Sequence, residues 1–173
     1  MAEIKVNRVT NANMYLEGGS LLGQVKEMDV PEVKFMMSEH QAIGLIGKME
    51  FFSGIDKLEG KIRWNSFYKD AMAKFANPFT PLQVQVRSSL EQYGAQGRAS
   101  EKPVVIHMTI QSKNLSGANF KQHDNVELET TYGCTYYKLV VDGTEVAEID
   151  VLANIYKVNG VDMLANYRSN IGG

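Results

Sequence analysis

The stretch Leu139-Val-Val-Asp-Gly-Thr-Glu-Val-Ala-Glu-Ile-Asp-Val-Leu-Ala-Asn-Ile-Tyr-Lys-Val-Asn-Gly-Val-Asp162 decides how the rest of the chain is read. It reads as strand, tight turn, strand, turn. Asp142-Gly143 between two aliphatic runs is a short hairpin signal, because the turn needs positive φ. Acids recur on a regular beat at Glu145, Glu148 and Asp150, yet no histidine, cysteine or serine accompanies them. Such a stretch suits a wall better than a reaction centre.

Outward from that segment the period of two continues, placing alternate side chains on opposite faces of a sheet. Leu82, Val84 and Val86 alternate with Gln83, Gln85 and Arg87; Val104, Ile106, Met108 and Ile110 alternate with Val105, His107, Thr109 and Gln111. From Val126 to Tyr137 the dry positions are Val126, Leu128, Thr130 and Tyr132. Near the start, Met14 to Glu17, the pair Gly18-Gly19 and Leu21 to Val30 read as another hairpin. Pro31 then interrupts the ladder before Val33 to Met37 resumes it.

One helix stands out near residues 67–75. Phe67, Ala71 and Phe75 recur every four residues, Asn65 or Ser66 can cap the first turn, and Asn77-Pro78 closes the segment. The C-terminal DMLANYRSNIGG reads either as a short second helix or as a frayed tail. The expected fold is mainly β, an antiparallel β-sandwich or partly closed barrel with long hairpins and one flanking α-helix.

With 173 residues, 44% hydrophobic and 22% charged, the chain is expected to form one domain spanning 1–173 with its own core. A net charge of -2 gives no general attraction to nucleic acid or anionic membrane. No apolar run approaches the ~20 residues of a membrane span, and MAEIKVNRVT lacks the apolar core of a secretory signal, so synthesis in a cytoplasm and no membrane anchor are expected. A single cysteine, Cys134, forms no internal disulfide and fits a reducing compartment.

A search for chemistry yields little. His40, His107 and His123 are too far apart for a local metal pair, and His107 fits a partly covered strand position. Cys134 has no cation beside it in sequence to lower its pKa and reads as a small buried residue. In GLIGKME, Gly47-Lys48 is followed by Met49 where a phosphate loop needs serine or threonine, and GGSLLG lacks the last glycine of a nucleophile elbow. Asn114-Leu115-Ser116 matches a glycosylation triplet, which has meaning only in a secreted chain. The acids Glu127, Glu129, Glu145, Glu148 and Asp150 would serve a hydrolase only if two of them faced one cleft. Neither a catalytic residue, a cofactor nor a metal is expected.

What remains is a surplus of strand and one apolar loop. Gln41, Ala42, Ile43, Gly44, Leu45, Ile46 and Gly47 carry no charge. Either this loop folds back over its own core, or it marks a contact with another chain. Self-assembly also explains how extended strands avoid open edges, since neighbouring subunits complete the sheet.

The C-terminal block from Cys134 to Gly172 resembles that of the major tail tube proteins of contractile-tailed bacteriophages, a family shared with the tube protein of R-type pyocins. The resemblance rests on Tyr136, Tyr137, Lys138, Leu139, Gly143, Glu148, Ile149, Asp150, Val158, Asn159, Gly160, Val161, Asp162, Leu164, Arg168, Ile171 and Gly172, in that order. At the other end, Asn13, Met14, Tyr15, Leu16, Gly18, Ser20, Gly23 and Pro31 resemble the family's opening hairpin and the strand after it, with Glu39-His40 ahead of the loop. Residues 52–125 agree in layout alone.

The resemblance implies a non-enzymatic tail-tube fold whose copies form hexameric rings. The rings stack head to tail into a hollow tube inside a contractile sheath, in a virion tail. Its inner wall would be one large β-barrel built from hairpins of every subunit, with strands around 32–37, 48–53, 104–112 and 126–133 among them. The loop at 41–47 would touch the next ring, and the helix bearing Phe67, Tyr68, Lys69, Asp70 and Lys74 would face the sheath. The implied partners are further copies of the chain, the sheath protein, tape-measure, baseplate and terminator proteins, and in a phage the DNA passing along the lumen. The tube of a type VI secretion system is a near rival, and a small β-sandwich enzyme or sugar-binding module a distant one.

Overall fold

The computed structural model describes residues 4–173. In chain order the elements are β1 (Val6–Leu16), β2 (Gly19–Ser20), β3 (Val25–Asp29), β4 (Phe35–His40), β5 (Met49–Ile55), β6 (Leu58–Trp64), α1 (Lys69–Phe75), β7 (Leu82–Gly94), β8 (Gly97–Ser112), β9 (Leu128–Val141), β10 (Thr144–Asp150), β11 (Ile155–Val158), β12 (Val161–Asp162) and α2 (Ala165–Asn170). All strand pairs are antiparallel.

The main sheet runs β12-β11-β10-β9-β8-β7-β1-β2, and β6 leaves it at β9 to carry β3. Both two-residue turns of the C-terminal block, Asp142-Gly143 and Asn159-Gly160, have positive φ at both positions. This is the geometry whose twist matches that of the flanking strands.

A bulge explains how β9 serves two partners. Its first half, Leu128 to Cys134, pairs with β6, and its second half, from Tyr136, pairs with β10. The register with β8 slips between these halves, leaving Thr135 as the extra residue. The slip returns Tyr137 to the side already occupied by Cys134, so the core face stays apolar while the partner changes.

The core lies on the concave side of this sheet. Met14 and Leu16 on β1, Ile62 and Trp64 on β6, Val84 on β7, Met108 and Ile110 on β8, and Leu128 and Tyr132 on β9 form one buried cluster, covered by Ala71 and Phe75 of α1. Strands β1 and β3, at the two ends of the path β1-β7-β8-β9-β6-β3, line a common cleft of about 560 Å³ without pairing to each other. The sheet therefore curls round its core and stops short of a closed barrel.

Two sequence expectations, the start of the helix and the N-terminal hairpin, need correction. The helix starts at Lys69, not Phe67, and Tyr68 takes the N-cap position with no side-chain cap. Asn65 is unavailable as a cap, because its amide donates to Gly23 O at 2.7 Å and its oxygen accepts from the Tyr68 hydroxyl. Ala71 and Phe75 face inward as the spacing predicts, whereas Phe67 lies outside the helix and stacks on Phe120 with ring centroids 6.2 Å apart. The N-terminal hairpin turns at Glu17-Gly18 and pairs over Tyr15–Ser20 and Leu16–Gly19 alone; β3 then leaves to join β6, and the long partner of β1 is β7. Of the two readings of the C-terminus, the helix holds, as α2.

Candidate functional site

Strands β4 and β5 form a sheet of their own, separate from the main one. Their register places Phe35, Met37, Glu39, Glu50, Phe52 and Ile55 on one face, and Met36, Ser38, His40, Met49, Phe51 and Gly54 on the other. Both faces carry large apolar side chains, and every residue of β4 is exposed. The base is anchored by Phe35, which meets the Tyr156 ring of β11 edge-on at 6.1 Å, and by the half-buried Ile55.

A free two-stranded hairpin is marginal in water, and one that is apolar on both sides loses hydrophobic stabilisation wherever it is bare. At its tip sit residues 41–47. Ile43 and Ile46 are fully exposed, and the loop packs on no part of the core. This excludes the alternative in which the loop folds back.

The convex face of the main sheet is polar. One cross-strand row reads Tyr15, Gln85, His107, Lys138, Glu148, Lys157, Asp162 from β1 to β12. Lys138 bonds Glu145 at 2.9 Å, Lys157 bonds Glu148 at 2.7 Å, and Asp162 accepts from Arg168 of α2 at 2.5 Å. Asp162 is held below the usual carboxylate range chiefly by that arginine. Arg87 lies 4.9 Å over the Tyr15 ring and donates to Gln85. His107 has its pKa lowered by burial and by the Lys138 and Arg87 charges, which keeps it neutral near pH 7.

The acids noted in the sequence do not converge. Glu127 pairs with Lys26, and Glu129 with Lys61 and Arg63 at 3.1 Å each, on the outer face of the β3-β6-β9 arm. Glu145 and Glu148 are held in the polar row, and Asp150 caps the turn after β10 through Leu152 N and Ala153 N. A pocket of about 450 Å³ between the base of the β4–β5 hairpin and the C-terminal segment is lined by Phe52, Ile55, Ile149, Leu164 and Tyr167, with Asp150 its single acid. Cys134 is buried, donates to Tyr136 O, and has its thiol pushed up to about 12 by burial. The Asn114 side chain donates from Nδ2 to Glu129 O and accepts at Oδ1 from Thr131 N, bridging to β9 like a strand residue. Among the described residues no group of three histidine, cysteine, aspartate or glutamate side chains is placed to hold a metal.

On α1, Lys69, Asp70 and Lys74 point to solvent while Tyr68 is half-buried at the entrance. The exposed Phe67–Phe120 stack lies beside it. The doubly apolar character of the β4–β5 hairpin is the feature missed in the sequence, although its signal was present. Phe35-Met36-Met37 and Phe51-Phe52 abandon the alternation seen elsewhere, as strands covered on both faces do.

Comparison with known proteins agrees with this geometry. The Tail tube protein of Escherichia phage P2 is 27% identical over 161 residues, covering 92% of this chain and 94% of that protein. Among solved structures the fold is similar to the sheath/tube terminator of an extracellular contractile injection system, with a TM-score of 0.58 at 8% identity over 78% of this chain and 94% of the other. It is also similar to a chain of that system's sheath-tube complex, with a TM-score of 0.56 at 9% identity over 76% and 87%. The model of the family Phage tail tube protein FII matches residues 6–172. The chain belongs to this tail tube family, which is structural and not enzymatic.

Proposed function

We propose that the chain is the repeating subunit of a contractile-tail tube. Six copies close a ring, and rings stack head to tail through heterologous contacts that propagate in one direction. The observation that carries this reading is the β4–β5 hairpin, apolar on both faces and, among the described residues, paired to nothing beyond itself. Neighbouring copies pair with both of its edges and close a continuous inner barrel, which removes the edges a lone copy leaves open and covers the apolar face turned away from the lumen.

Residues 41–47 at the hairpin tip contact the next ring. The strands around 104–112 and 126–133 contribute to the wall, with the polar row toward the lumen. There the lysines are already paired with acids, so a passing phosphate backbone meets few free cations. The face bearing Phe67, Lys69, Asp70 and Lys74 turns outward to the sheath, and tape-measure, baseplate and terminator proteins occupy the lumen and the tube ends. In a phage tail DNA passes through; a DNA-free injection particle is the second reading, favoured by the fold likeness to an injection-system subunit.

Electron microscopy of the concentrated protein tests the proposal. Hollow rods with sixfold end views are expected, and a monomer at every concentration would count against it. Deletion of Gln41–Gly47 is expected to leave the circular dichroism unchanged and abolish rods, whereas normal rods from that variant would overturn the role of the loop.

A further inference from the structure

Three of the nine methionines sit in the β4–β5 hairpin, and they are distributed over both of its faces: Met37 on one, Met36 and Met49 on the other. Their exposures are 50%, 49% and 42%, whereas Met14 and Met108 in the core are 4% and 1% exposed. Neither face can be buried without enclosing a thioether. Phe51 and Phe52 share the same two faces, so the surroundings awaiting each sulfur are apolar.

We propose that these methionines make the free subunit an oxidant-sensitive form and the assembled tube a protected one. The inference rests on the tube reading above. A peroxide transfers one oxygen atom to the thioether; the sulfur loses two electrons, the sulfoxide forms, and the peroxide is reduced to water or an alcohol. The product is polar and chiral where packing requires an apolar, adaptable side chain. Burying each sulfoxide without a hydrogen-bond donor raises the concentration needed for assembly by about tenfold or more. Once one face of the hairpin is covered, the sulfurs on that face lie out of reach of the oxidant.

The test treats free subunits and preformed rods with hydrogen peroxide, maps sulfoxides by mass spectrometry, and measures rod yield by sedimentation. In free protein Met36, Met37 and Met49 are expected to oxidise well before Met14 and Met108, and the oxidised protein to lose rod formation. Methionine sulfoxide reductases of both stereospecificities with a dithiol are expected to restore it. In rods the methionines of the covered face, either Met37 or the pair Met36 and Met49, are expected to be at least tenfold slower to oxidise, and equal rates at all three positions in the two states would overturn the protection. A triple Met→Leu variant at these positions is expected to assemble with or without peroxide. Normal rod yield from subunits oxidised at all three positions would overturn the inference while leaving the tube reading intact. Untreated protein that forms no rods would overturn the tube reading, and the inference with it.

Discussion

Lys157 Nζ lies 2.7 Å from Glu148 Oε2 across the β10–β11 pair, and Tyr136 Oη on β9 donates to the other carboxylate oxygen at 2.8 Å. One carboxylate thus ties three consecutive strands of the block that marks the family. Its pKa is depressed by the Lys157 hydrogen bond first and the Tyr136 bond next, against burial. A depressed carboxyl contributes stability that is fully present above its unfolded value, 4.5, and is lost as pH falls through its lower folded value. Glu148→Gln is expected to lower the melting temperature by about 2–4 °C at pH 7. It is also expected to flatten the fall in stability below pH 4.5; an unchanged pH profile would remove the carboxylate from this role.

Gly60 permits a close approach that no other residue allows. A Cβ there would stand 2.3 Å from both Asp29 O and Tyr132 Oη, and the hydroxyl itself donates to Asp29 O at 2.8 Å. Gly60→Ala is expected to cost about 3 kcal/mol through overpacking, read as a shift of the denaturation midpoint. Tyr132→Phe alone is expected to cost about 1 kcal/mol. In combination the two should cost only slightly less than their sum, since the hydroxyl is one of three clashing atoms and Tyr132 Cζ, 2.5 Å from the Cβ position, remains.

Trp64 and Thr130 form the polar contact at the centre of the core. The buried indole Nε1 donates to Thr130 Oγ1 at 3.0 Å, and Ser116 Oγ lies 2.7 Å from the same oxygen. Thr130→Val keeps the shape and strands the indole donor, for an expected loss of about 1–3 kcal/mol. Thr130→Ser, which restores the oxygen, should recover most of it.

Cys134 reports on folding because burial pushes its thiol up to about 12. An aromatic disulfide reagent at pH 8 is expected to label it at least tenfold more slowly in native protein than in guanidinium. Rapid native labelling would mean that the β8–β9 core opens readily.

The sequence was most legible where a strand has one dry face. The onset of β7, the second half of β8 and the first half of β9 follow their alternation directly, and β10 begins at the Asp142-Gly143 turn. The outer parts of β7 and β8, from Ser88 to Pro103, leave no periodic signal because polar residues stand on both faces there. Strand β6 is hard to read in the sequence despite the alternation of Leu58, Ile62 and Trp64 with Glu59, Lys61 and Arg63, because Gly60, required by the Tyr132 ring, breaks the apolar series. The spacing of Phe67 with Ala71 and Phe75 predicts a helix start two residues before the observed one, because Phe67 continues that spacing while packing on Phe120 instead. The loop at 41–47 stands out in the sequence only by its lack of charge. That its hairpin stands apart from the main sheet depends on pairing between distant segments, which local periodicity does not encode.

The central claim is that β4 and β5 are completed by other copies. Amide hydrogen exchange at residues 35–55, compared between free subunits and assembled rods, tests it most directly. The account predicts exchange close to that of an open hairpin in the free subunit and protection by at least a hundredfold in rods, with little change at the core strands β8 and β9. Equal exchange of this segment in the two states would contradict it.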